Sequence, residues 1–225
     1  MSPIKTLALA SVAAMAFSYS ANALTITDSD SLGPNTTELN SAVNTLTVDL
    51  FDDMGGTRVL NKVILTIDAR LDSSGTVTNN AAQMQNFSVQ VNSMFSSAGG
   101  PAPIGSLNAS VQIGPQAFNL ASGASAPFGP SSATDQMMVM FTNPGDLAAF
   151  LGAGTFSIGI DTLSGQQILG GGGNITAAIS TQASATLTVD YDYQNVTTTD
   201  EPATLAMAGL ALAGMVAIRR RARAR

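Results

Sequence analysis

Chemistry in this chain has to be sought among carboxylates. Between Leu24 and Thr199 thirteen Asp and Glu residues stand against only Arg58, Lys62 and Arg70, and the whole sequence contains no His and no Cys. Neither a Ser-His-Asp triad nor a Cys-His pair can therefore be assembled. A Ser-Lys dyad would have only Lys62 to draw on in this span, and Lys62 reads as a solvated strand residue. Zinc and iron sites need the same missing ligands. What remains by residue type is a carboxylate pair of the kind that cleaves glycosides, with Asp52-Asp53, Asp190 and Asp192 as members. They are accompanied by a single glutamate in this span, Glu38, and by no Trp to stack a sugar ring. Asp190 and Asp192 also fall on the polar face of an alternating strand, where a solubilising charge pair is the simpler reading. The expectation is a protein that is not an enzyme, with a cryptic carboxylate-dependent glycoside-active enzyme as one alternative.

Calcium is the one cofactor the residues offer. Asp28-Ser29-Asp30-Ser31-Leu32-Gly33 has the Asp-x-Asp spacing and the sixth-position glycine of an EF-hand loop. Its twelfth position is Leu39, and Glu38 falls one place early. An EF-hand is not expected, and a looser oxygen-ligand site at Asp28 and Asp30, or at Asp52 and Asp53, remains. Without it no cofactor is expected. Gly170 to Gly173 lacks a following Gly-Lys-Ser/Thr and reads as a turn, not a phosphate loop. The span from Leu24 to Thr199 carries a net charge near −10. Such a surface repels phosphate backbones, so nucleic acid is not an expected partner.

The elements that must carry these residues are strands. Period-two alternation dominates. Its longest run takes in Ile175, Ala177, Ile179, Thr181, Ala183, Ala185, Leu187, Val189, Tyr191 and Tyr193, as one bent strand or two joined near Gln182. Val63 to Leu71, Phe87 to Phe95, Leu107 to Ile113 and Leu46 to Leu50 alternate likewise. Met138 and Met140, and Phe156, Ile158 and Ile160, mark further strands. Turn signals punctuate them at Gly55-Gly56, Ser73-Ser74-Gly75, Asn79-Asn80, Gly99-Gly100-Pro101, Gly129-Pro130, Asn143-Pro144-Gly145 and Gly170 to Gly173. Ala121 to Ser132 reads as a flexible loop, and Asp146 to Leu151 as one short helix. Eight to ten strands so spaced predict an all-β antiparallel β-sandwich, jelly-roll or Ig-like. With no Cys for disulfides, this fold must be held by its core.

The two ends read as addresses. Lys5, the apolar stretch Leu7 to Phe17 and the small residues Ala21-Asn22-Ala23 form the three-part pattern of a secretory signal. Residues 1–23 are expected to be removed by a signal peptidase, with Leu24 the first residue kept. At the other end, a sixteen-residue apolar run from Ala203 to Ile218 precedes Arg219, Arg220, Arg221, Arg223 and Arg225. As a helix it would span about 24 Å against a hydrocarbon core of about 30 Å, and the arginines would hold its end in the cytoplasm. The organisation expected is a signal at 1–23, a β-sandwich at 24–194, a linker at 195–199, and a C-terminal segment at 200–225 with a transmembrane helix at 203–218 and a basic stop.

Glu201, Pro202, Ala203 and Thr204, the small-residue stretch from Ala206 to Gly214, and the arginine cluster together resemble a PEP-CTERM sorting signal. Members of that family usually carry Pro ahead of the glutamate, where this chain has Asp200. The resemblance implies an exosortase-type processing enzyme as partner and a Gram-negative producer of exopolysaccharide as host. The apolar tail would be held at the inner membrane and then removed, much as in a GPI signal. Between the ends, Leu50-Phe51-Asp52, Val59 to Thr66, Ser74 to Asn80, Asp146 to Thr155 and Ala185 to Tyr193 resemble a choice-of-anchor E domain. This resemblance implies a surface protein and assigns no activity.

These readings converge on a non-enzymatic exported protein of the cell surface or extracellular matrix, passing through an inner-membrane intermediate and associated with exopolysaccharide or biofilm. A surface-displayed polysaccharide- or calcium-binding module is the other alternative.

Overall fold

The computed structural model describes residues 23–196. Most of the export segment, including Ala21, and the sorting segment with its apolar run 203–218 lie outside the described residues.

Eight strands follow in order: β1 (Leu24–Thr36), β2 (Thr45–Asp49), β3 (Arg58–Asn79), β4 (Gln85–Gly99), β5 (Asn108–Leu120), β6 (Ser125–Phe141), β7 (Thr155–Gly170) and β8 (Ile175–Asn195). The chain pairs as one long hairpin, β1 with β8, β2 with β7, β3 with β6 and β4 with β5, every pair antiparallel. Rolling that hairpin brings β3 against β8 and β4 against β7. The result is a front sheet in the order β1-β8-β3-β6 facing a back sheet in the order β2-β7-β4-β5. This strand order is a jelly roll, and it decides between the two sandwich forms expected.

The alternating residues point inward as read. Val63, Leu65, Ile67, Ala69 and Leu71 of β3 are buried, as are Phe87, Val89, Val91 and Phe95 of β4 and Ala183 to Tyr193 in phase on β8. The stretch from Ile175 to Asn195 is one strand, and it takes Asn195 from the expected linker.

Four local expectations are corrected. Ser73-Ser74-Gly75 makes no turn, because β3 runs through it for 22 residues with only a register shift against β6. Ala121–Ser132 is not a flexible loop: the turn ends at Ala124, and Ser125 to Phe128 pair with Gly75 to Thr78. Pro127 and Pro130 are tolerated because β6 is an edge strand, where a missing amide need not break a ladder. Met138 and Met140 point to solvent, while Met137 and Phe141 are buried opposite Ile67 and Val63. A run of five apolar residues fits either face, and the register with β3 picks one. The short helix α1 (Pro144–Leu147) starts two residues earlier than read and continues as a 3-10 turn to Phe150.

The open edges of the two sheets are joined by side chains. On one side Asp28 and Asp30 of β1 share the inward phase of Ile26 and Leu32 and reach across to β2. The Asp49 amide donates to Asp28 Oδ2 at 2.7 Å and the Thr47 amide to Asp30 Oδ2 at 2.8 Å. Tyr191, buried on β8, donates its hydroxyl to the Asp49 carbonyl at 2.6 Å. Burial, with Asp28 and Asp49 nearby, pushes the Tyr191 pKa up, so the hydroxyl stays a donor. On the opposite side the Ser110 amide donates to Asp135 Oδ2 at 3.0 Å. Gln116 there donates to the Pro127 carbonyl and accepts from the Gly129 amide. Strand edges left bare are templates for pairing with another chain. We expect Asp28→Ala combined with Asp30→Ala to cost about 1–2 kcal/mol, less than the about 3 kcal/mol that two charged hydrogen bonds give at the low end, because water reaches this edge. Urea unfolding checks the loss, and light scattering checks the self-association that a freed β2 edge invites.

Candidate functional site

The carboxylates singled out in the sequence are dispersed and occupied by the fold. Asp28 and Asp30 also accept from the amides of Ser29 and Ser31 through their second oxygens, both at 2.8 Å. Asp52 and Asp53 shape the β2–β3 turn, accepting from the amides of Met54 at 2.8 Å and Gly55 at 3.0 Å. Among the described residues no group of three or more Asp and Glu is arranged to hold a metal ion. Asp190 and Asp192 lie on the outer face of β8, with Thr27 and Thr25 of β1 donating to them. Lys62 sits opposite Asp192 in register and bonds it at 2.6 Å. The Lys62 ammonium, then the Thr25 hydroxyl, hold the Asp192 carboxyl below its ordinary range. The partner of Lys62 is thus a carboxylate on a wet sheet face.

The outer face of the front sheet also carries a cleft of about 450 Å³ across β6, β3 and β8. Arg70 and Asp72 of β3, Ser132 of β6, and Ser180 and Gln182 of β8 line it. Asp72 faces Ser132 on one side and Gln182 on the other. Arg70 is held by its neighbour, its Nη2 donating to Asp72 Oδ1 at 2.7 Å. The lining is hydroxyls, an amide, one ion pair and the ring of Pro130, with no aromatic side chain. Such a surface can exchange hydrogen bonds with a polyol, and it offers no nucleophile-base pair. Sequence reading did not assemble it, because it takes its members from three strands.

Both ends of the described chain leave from one end of the sandwich. Leu24 pairs with Tyr193, and the Val196 amide donates to the Thr57 carbonyl at 2.8 Å. The C-terminal segment follows in sequence from this end. That segment, residues 201–221, matches the model of the PEP-CTERM protein-sorting motif. This chain carries a PEP-CTERM sorting signal. Glu201, Pro202, Ala203, Thr204, Arg219, Arg220 and Arg221 lie within the matched span, and Arg223 and Arg225 follow it. A PEP-CTERM signal marks a bacterial protein for export and surface sorting by an exosortase.

No curated protein matches the chain. Solved structures similar to it include that of a mud crab tombus-like virus, at 12% identity over 92% of this chain and 94% of that one, with a TM-score of 0.24. The infectious bursal disease virus Gx strain follows at 13% identity, 88% and 42% coverage and a TM-score of 0.21. The globular domain of the zebrafish complement 1qA protein stands at 9% identity, 73% and 94% coverage and a TM-score of 0.20. At such scores these likenesses add nothing to the strand order described above.

Proposed function

We propose that this protein is a non-enzymatic display module of a Gram-negative cell surface or extracellular matrix, associated with exopolysaccharide. Its N-terminal signal would direct export and be removed by a signal peptidase. The apolar run 203–218 would then span the inner membrane until an exosortase releases the body. The observation that carries this reading is the PEP-CTERM match at 201–221. It is joined to a body that lacks His and Cys and whose best-placed aspartates bind backbone amides. Intact mass of the natively exported protein tests it. The expected species begins at Leu24 and has lost the segment from Ala203 onward. A surface form that retains residues 203–225 would replace release with permanent anchoring.

A second reading, polysaccharide binding, is favoured by the cleft on the front sheet. The choice-of-anchor E likeness of the body is compatible with it and names no ligand. Calorimetry of the folded body against host exopolysaccharide is the test. Ser132→Ala with Gln182→Ala is expected to weaken binding by about thirty-fold, at about 1 kcal/mol for each of two hydrogen bonds lost. An unchanged affinity in that variant removes the cleft from consideration.

A further inference from the structure

We propose that the end of the sandwich from which the chain departs is a lipid-contacting surface, seated on the membrane while the sorting segment is still attached. The proposal rests on the membrane-held intermediate above. It adds which face of the body meets the bilayer.

The first observation is that five of the twelve exposed large apolar side chains among the described residues gather at the departing end. Leu24, Met54, Val59, Leu151 and Val196 are between 38% and 52% exposed. All five belong to one end of the jelly roll. Leu24 and Val59 flank the last residues of β8, opposite Tyr193 and Gln194. Val196 bonds Thr57, Met54 lies in the same β2–β3 turn, and Leu151 bridges Phe51 just before that turn. A notch of about 520 Å³ opens beside Val59 and Leu151, which line it with Leu60 and Leu147 and with the polar side chains of Asp53, Arg58 and Asn61. Exposed apolar side chains standing singly need no explanation, but a contiguous set beside a notch marks a contact surface.

The second observation is the length of chain that follows. From Val196 to Ala203, where the apolar run begins, there are seven residue steps. Fully extended they reach at most about 25 Å. The sandwich is far longer, since 22 residues of β3 extend over about 70 Å at strand rise. A body tethered so briefly must keep its departing end near the bilayer, and its far end need not approach it.

The third observation is charge. Asp49, Asp52 and Asp53 stand at this end, where Lys62 is already bonded to Asp192 and Arg58 lies over the Tyr193 ring. Attraction to anionic headgroups is therefore not the source of the contact. Met54, Val59 and Leu151 would enter the zone between headgroups and acyl chains, as the apolar face of an interfacial helix does. Removal of the tail would then end the tether, and the remaining small apolar contact would be reversible.

The chain contains no Cys, so single-cysteine variants label at one site. Met54→Cys and Leu151→Cys report on the proposed surface, and Met84→Cys, exposed in the β3–β4 turn at the far end, is the reference. The chain from Leu24 to Arg225 is reconstituted into phosphatidylethanolamine and phosphatidylglycerol vesicles, and nitroxide labels are probed with a water-soluble nickel chelate. The expected result is that labels at 54 and 151 collide with the chelate about three-fold less, or lower still, than the label at 84, as groups sunk into the interface do. If all three collide equally while the protein floats with the vesicles, the lipid-contacting end is overturned and the membrane-held intermediate stands. If the protein does not float with the vesicles, both fall.

Discussion

Gly75→Ala is expected to destabilise the protein by about 3 kcal/mol, the upper part of the range for forcing an atom into a packed site. Gly75 lies in β3, between β8 and β6 at the centre of the front sheet. A Cβ built there would stand 2.2 Å from the Ala178 carbonyl oxygen and 2.7 Å from the Ile179 Cα. Both are backbone atoms of a paired strand, so no side chain can turn aside to make room. The strand must part locally from β8 or shift along it, and either response breaks ladder hydrogen bonds. Gly165→Ala is the matched control, because a Cβ there meets nothing within 4 Å. Urea unfolding of the body should show a large fall in midpoint for the first and little change for the second. Equal midpoints would mean that β3 and β8 are further apart than described.

The second large effect is at Asn79, where β3 ends. Its side chain is fully buried. The Nδ2 group donates to the carbonyls of Gln83 at 2.8 Å, Leu120 at 2.9 Å and Ala121 at 3.1 Å, and Oδ1 accepts from the Ala81 amide at 2.9 Å. One amide thereby holds the β3–β4 turn against the β5–β6 turn. Asn79→Ala would leave the buried Ala81 amide and two or more carbonyls without that partner. We expect a loss of about 3–4 kcal/mol, the sum of more than one unmet buried group. Against a total stability of about 5–15 kcal/mol this is a large fraction. Asn79→Asp separates shape from donation. It fills the same volume, yet an ionised carboxylate cannot donate to three carbonyls, so it should be at least as destabilising at neutral pH. Thermal unfolding of both variants checks the order; an Asn79→Asp protein close to the parent would show that packing, not hydrogen bonding, secures this end.

The position of Asn79 was legible in the sequence only as half of a turn signal. That reading was correct as far as it went, since Asn80 does leave the strand. What it could not contain is that the side chain faces inward and meets a turn some forty residues away. Gly75 illustrates the opposite error. A glycine after two serines reads as a turn because local composition says so, whereas here it marks the close approach of a neighbouring backbone. The same limit explains Asp28 and Asp30. Their spacing left a loose oxygen-ligand site open, while their phase with Ile26 and Leu32 set them at inward positions of an edge strand. An acidic residue at an inward position of an edge strand has unpaired amides to meet.

The C-terminal sorting signal, the all-β class and the faces of most strands were legible in the residues alone. The signal is a short linear pattern, and strand faces follow from a two-residue period, so both are written in neighbouring residues. Tertiary structure alone decided the jelly roll over the immunoglobulin-like sandwich, the passage of β3 through Ser73-Ser74-Gly75, and the outward turn of Met138 and Met140. It also decided that Asp28 and Asp30 serve the amides of Asp49 and Thr47, 21 and 17 residues further along. The physical reason is that a strand's hydrogen bonds are completed by another strand, and no local pattern names that partner.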